Sequence, residues 1–126
     1  MIEEQYVSFE TAKLLKEKGV DASDIDAYFP FVYYADGKMD FYDDDNPIFV
    51  CEAVTQQMAM RWLREVYGLF ISIGNDDLNY NWQILDVKNR TNDFDPTCLT
   101  ESYAGYESYE EACEAAIKCC LEHLLK

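Results

Sequence analysis

An Asp-Gly pair, Asp36-Gly37, stands between two aromatic runs, Tyr28-Phe29-Pro30-Phe31-Val32-Tyr33-Tyr34 and Met39-Asp40-Phe41-Tyr42. Glycine reaches positive φ at no steric cost, so such a pair between apolar runs is a strong local signal for a β-hairpin. Pro30 has no N–H to give to a ladder, which makes the first strand begin late or lie at an edge. A second hairpin is predicted from Leu69-Phe70-Ile71-Ser72-Ile73, the turn Gly74-Asn75-Asp76-Asp77 and the return strand Tyr80 to Val87. Ile71 and Ile73 alternate with Ser72, the period of a half-buried strand. On the return strand Trp82, Ile84 and Asp86 share one face, and Leu85 and Val87 take the other. Hairpins impose antiparallel pairing, and that points to an α+β domain in which helices cover a sheet.

Three helices are marked by their ends. Ser8 caps a segment from Phe9 to Lys18, with Glu10 in its first turn, Lys16 and Lys18 in its last, and Gly19 to close it. Phe9, Ala12, Leu14 and Leu15 form its apolar stripe. Thr55 caps a helix from Gln56 to Tyr67, followed by Gly68; Met58, Ala59, Trp62, Leu63 and Val66 form one continuous face. Gln57, Arg61, Arg64 and Glu65 occupy the opposite side. Ser108-Tyr109-Glu110-Glu111 is a capping box, in which Ser108 accepts from the amide of Glu111 and the Glu111 side chain reaches back. From there Tyr109, Ala112, Cys113, Ala116, Ile117, Cys120, Leu121 and Leu124 keep a helical stripe. Asn89 to Gly105 carry the weakest pattern: residues 90–96 read as a turn, and Cys98-Leu99-Thr100 allow a fifth strand. The expected order is α-β-β-α-β-β-(β)-α, an antiparallel sheet of two hairpins covered by three helices. All of it fits one domain, 1–126. Leu15-Lys16-Glu17 and Leu63-Arg64-Glu65 each precede a glycine and a hairpin, an echo that permits an internal duplication.

Charge narrows the function classes. Twenty-five Asp and Glu against ten Lys and Arg leave a net charge of −15. A field of that sign repels polyanions and argues against direct nucleic-acid binding. No apolar run approaches the roughly 20 residues that cross a bilayer, and Met1-Ile2-Glu3-Glu4-Gln5 lacks the basic and apolar regions of a secretory signal. A cytoplasmic protein that engages no membrane is expected. Five cysteines, an odd number without Cys-x-x-Cys, do not describe a disulfide framework or a zinc ribbon. Cys113 and Cys120 share a helix face about 10 Å apart, too far to bridge, and are expected as buried free thiols.

Catalytic and metal-binding patterns are sparse. His123 is the single histidine. Its spacing from Cys119 places both on one helix flank, but no second ligand pair matches it, and neighbouring glutamates oppose a reactive thiolate. Asp40, Asp43, Asp44, Asp45 and Asn46 lack the glycine of a calcium loop, and in Asn75-x-Asp77-x-Asn79-x-Asn81 a tyrosine stands where glycine belongs. Both stretches read as solvated turns, with no catalytic residue, metal or cofactor assigned. The aromatic strands lack the lysines and arginines of a single-strand stacking platform, so they read as a packed sheet face.

The blocks Val7 to Gly19, Thr55 to Glu65 and Ser108 to Ala112 together resemble a group of small uncharacterised proteins abundant in gut anaerobes, their phages and mobile elements. That resemblance implies a small cytoplasmic α+β protein, and carries no catalytic residues with it. The Glu-Glu-Ala opening of the last helix also resembles HicB-type antitoxins, which implies a regulator.

Together these features give the expectation of a non-catalytic acidic module that binds a basic protein partner. Such a module would be a DNA-mimic-like modulator carried by a phage or mobile element. The acidic interaction surface is placed at Asp40, Asp43, Asp44, Asp45, Asp76 and Asp77. The competing expectations are a small-substrate enzyme using carboxylates such as Asp40, Asp43 or Asp77, and a charge that serves solubility alone. Tyrosine-rich strands also offer an edge for a homodimer.

Overall fold

Three short polar side chains start three helices among the described residues. In a computed structural model that describes residues 5–20, 31–45, 48–75, 79–90, 96–102 and 105–125, Ser8 Oγ accepts from the Thr11 amide at 3.2 Å and opens α1, Phe9–Glu17. Thr55 Oγ1 accepts from Met58 N at 3.1 Å and opens α2, Gln56–Trp62. Ser108 Oγ accepts from Glu111 N at 3.1 Å and opens α3, Tyr109–Cys119. Each cap satisfies an amide that the helix itself leaves without a partner. The Glu111 carboxylate reaches back as expected, but to the amide of Glu107, one residue before the cap.

Both α2 and α3 end in π-helical turns, Leu63–Tyr67 and Cys120–Leu124. A π turn spends one extra residue, so the side chain stacked over position i is i+5 instead of i+4. Trp62 therefore meets Tyr67, ring centroids 5.2 Å apart and nearly perpendicular. Val66, expected on the apolar face, is instead 40% exposed. Gly68, at φ +71°, closes the turn.

Among the described residues, six strands form two antiparallel sheets. The first holds β1, Phe31–Tyr33, between β2, Met39–Phe41, and β3, Cys51–Glu52. The second holds β5, Tyr80–Arg90, between β4, Leu69–Asn75, and β6, Pro96–Glu101. The α+β class and the element order are those expected. The two hairpins stay in separate sheets, and each gains a third strand, β3 in one and β6 in the other. The outset of the first aromatic run, Tyr28-Phe29-Pro30, lies outside the described residues.

The β1–β2 loop shows why Asp-Gly was required. Tyr34 N donates to Lys38 O at 3.0 Å and Gly37 N to Tyr34 O at 2.8 Å, a three-residue loop with Gly37 at φ +81°. Asp36 Oδ1 accepts from Lys38 N at 3.0 Å. A Cβ at Gly37 would also stand 3.3 Å from Phe9 Cδ2. Gly37→Ala is therefore expected to cost about 1–2 kcal/mol, from the left-handed backbone and the crowding of Phe9 together. A urea titration should show a lower midpoint with an unchanged slope.

The core is centred on α3. Ala112, Cys113, Ala116, Ile117, Cys120 and Leu121 are at most 1% exposed. Four of those six are alanine or cysteine, small enough to let neighbours approach closely. α3 packs on β4 and β5, against α2 and against α1, while α1 also covers β3. Buried Trp62, Leu63, Ile84, Val54 and Leu15 complete the shared core. Polar groups in it and at its margin are used. The Tyr33 hydroxyl donates to the Val7 carbonyl. Glu114 accepts from Ser8 N at 3.2 Å, Ser8 Oγ at 3.0 Å and Gln56 Nε2 at 3.3 Å, fastening α3 to the starts of α1 and α2.

Candidate interaction surface

The β1–β2 hairpin carries its acidic groups and its exposed aromatics in one place. β2 is exposed along its whole length. Met39 is 40%, Phe41 62% and Tyr42 46% exposed, an unusual concentration for large apolar side chains. Phe41 is held from behind by Phe31, ring centroids 4.4 Å apart, and its carbonyl accepts from the Tyr34 hydroxyl at 3.0 Å. Tyr42 meets the ring of Phe49 edge-on at 5.8 Å.

Beside these rings lies an open hollow of about 860 Å³, lined by Tyr34, Lys38, Phe41, Tyr42 and five carboxylates: Asp36, Asp40, Asp43, Asp44 and Asp45. Local bonds set part of this layout. Asp40 Oδ1 accepts from Phe41 N at 2.7 Å, and Asp43 Oδ1 accepts from Asp45 N at 2.9 Å. Four of the six predicted acidic residues, Asp40, Asp43, Asp44 and Asp45, therefore come together. Asp76 and Asp77 lie outside the described residues. Asp36 and Tyr34 join from the far side of the turn, where the Asp-Gly motif had marked them for folding only.

The chemistry around the cysteines is quiet. Cys51, Cys113 and Cys120 are buried and Cys98 is exposed, all as free thiols. Burial is the first cause that pushes each buried thiol up, and it takes Cys120 to about 12. Cys119 is also raised, by partial burial and then by Glu122, so its thiol is held away from the thiolate. His123 faces solvent, its side chain 68% exposed, with Nε2 3.8 Å from Glu122. Among the described residues, no three His, Cys, Asp or Glu side chains gather as a metal-holding group. No described helix is long and apolar enough to cross a membrane.

Sequence reasoning did not single out a second hollow, of opposite character. It lies between α2 and β4, measures about 570 Å³ and contains both Arg61 and Arg64. The signal was present as two exposed arginines three apart, Arg61 and Arg64, following half-buried Met58 and Met60 that pack at the margin of the core.

Compared with family models, with curated proteins and with solved structures, the chain matches none.

Proposed function

We propose that this chain is a non-catalytic, cytoplasmic binding module that holds a basic protein partner against the β1–β2 hairpin. The observation that carries this reading is the coincidence of five carboxylates with exposed Phe41 and Tyr42 around one hollow. Carboxylates alone would serve solubility; solubility has no use for exposed rings beside them. Paired with rings, the carboxylates supply steering and register, while the rings supply desolvated contact area. A net charge of −15 on a small body extends the steering field and competes for a site that normally receives phosphates. The resemblance of the helical blocks to proteins of phages and mobile elements supports a modulator role for such a competitor.

Two charge-matched variants test this. In one, Asp43, Asp44 and Asp45 become Asn and Phe41 becomes Ala. In the other, exposed Glu17, Glu107 and Glu122 become Gln. Both lose three negative charges, but only the first alters the hairpin. A basic partner retained from native lysate at low salt is expected to bind the hairpin variant at least tenfold more weakly. The control variant should stay within about twofold of the parent. Retention should fall with ionic strength, because exposed charges are screened over about 10 Å at 0.1 M salt. Equal loss in both variants would reduce the surface to bulk charge.

A further inference from the structure

The groove between α2 and β4 follows an open sheet edge. Phe70, Ile71, Ser72 and Ile73 are consecutive on β4 and all line it. Successive strand side chains point to opposite faces, so a cavity touched by four in a row runs along the strand's edge. Among the described residues β4 is the terminal strand of its sheet. The pairing register tells which backbone groups face outward. Val87 N donates to Gly68 O at 2.9 Å, and the register then steps regularly from Leu69↔Asp86 to Asn75↔Tyr80. In an antiparallel ladder hydrogen-bonded pairs alternate. Gly68, Phe70, Ser72 and Gly74 therefore bond inward to β5, leaving the N–H and C=O of Leu69, Ile71 and Ile73 turned to the groove side.

The opposite wall is helical and positively charged. Met58 and Met60 are half-buried, and Gln57, Arg61 and Arg64 are exposed. Arg61 pairs with Glu65, Nε to Oε1 at 3.1 Å. Arg64 makes no ion pair among the described residues. Two of the chain's three arginines stand here.

We infer that this groove binds an extended acidic peptide, which adds as a fourth strand to the edge of β4 and sets its carboxylates on Arg64 and Arg61. The edge supplies the backbone ladder, the methionines and Phe70 take apolar side chains, and the arginines choose the sign of charge. A second copy of the chain fits less well, since its own β4 would bring a like-charged arginine pair to the same edge. The inference does not depend on the hairpin surface, which takes a partner of the opposite charge.

The test is to pan a random twelve-residue peptide display library over the immobilised full chain, then synthesise the selected peptides. Selected sequences are expected to be enriched in Asp and Glu, with apolar residues at alternate positions. Their anisotropy-measured affinity should drop at least tenfold in Arg64→Glu, a substitution on an exposed, unpaired side chain. It should be unchanged in the Asp43, Asp44 and Asp45→Asn variant, which separates this site from the hairpin. In the free protein the Ile71 and Ile73 amides should exchange with solvent faster than those of Phe70 and Ser72, and peptide should slow them at least tenfold. An empty selection, no acidic enrichment, undiminished binding to Arg64→Glu, or protection away from β4 would each overturn the inference. So would protection of Ile71 and Ile73 that rises with protein concentration in the absence of peptide, because the occupant would then be a second copy.

Discussion

Trp62→Ala is expected to remove about 3–5 kcal/mol of stability, the usual cost of excising a buried aromatic side chain. Trp62 is 1% exposed and stands first among the large, fully buried side chains. It sits where α2 enters its π turn, with Tyr67 edge-on against it, and belongs to the core cluster that joins α3 to both sheets. Small residues make up most of the buried face of α3, which packs against α2, and alanine or cysteine cannot extend to fill a vacated indole. The transfer loss and the cavity loss therefore add. A domain of this size has only about 5–15 kcal/mol to lose, so the variant should melt about 10–20 °C lower and unfold at a much reduced urea midpoint. Calorimetry and urea titration read it directly. A change under about 1 kcal/mol would mean that the two sheets do not share this core.

The same region shows where sequence pattern carries structural information and where it does not. Helix starts were legible because each depends on one side chain and an amide three residues away; Ser8, Thr55 and Ser108 all cap as their spacing indicates. The β4–β5 hairpin was legible for a related reason, since the alternation of Ile71 and Ile73 with Ser72 is local. β4 nevertheless runs on through Gly74 and Asn75, which the sequence pattern assigns to the turn, because both pair with β5. The π turn was not. Apolar side chains stand at both Val66 and Tyr67, four and five residues after Trp62, and only the packed core chooses between the two periods. β3 was missed because two residues cannot display a period. Its antiparallel pairing of Cys51 with Tyr33 and Glu52 with Val32 reaches across the acidic loop. The separation of the sheets was equally hidden, because no local feature states that β2 ends its sheet among the described residues.

The candidate sites divide along the same line. Asp43, Asp44 and Asp45 are neighbours in sequence, so their convergence follows from chain connectivity. Asp36 and Tyr34 reach the hollow only because the hairpin folds back. The arginine groove needs more still: one wall comes from α2 and the other from an edge strand, and whether a strand is an edge is a property of the whole sheet. That distinction also bears on the opposite charges of the two surfaces. A chain with a large excess of acid can spare carboxylates for the hairpin, whereas Arg64, beside the open edge of β4, has no acid partner among the described residues.

Alkaline pH is expected to unfold the protein through its thiols, with Cys120 contributing most. Burial pushes Cys120 from 9.0 to about 12, and it also raises Cys51, Cys113 and Cys119 and the phenols of Tyr33 and Tyr109. Below the unfolded value near 9.0 the Cys120 thiol is neutral in both states, and its contribution to stability is intact. Between there and about 12 the unfolded chain ionises while the folded chain resists, so the unfolded state binds fewer protons and stability falls as pH rises. At about 1.4 kcal/mol for each tenfold displacement, that window is worth about 4 kcal/mol from Cys120 alone. The other raised groups add losses of the same sign. Urea midpoints measured from pH 7 to pH 11 should therefore hold steady at first and then decline steeply above about pH 9. Cys120→Ala removes the titrating group, at the cost of a small cavity. Its midpoint should start lower at pH 7 and decline less steeply, so that the two curves converge at high pH. Parallel curves for parent and variant would show that the π turn at Cys120 opens to water before the thiol ionises.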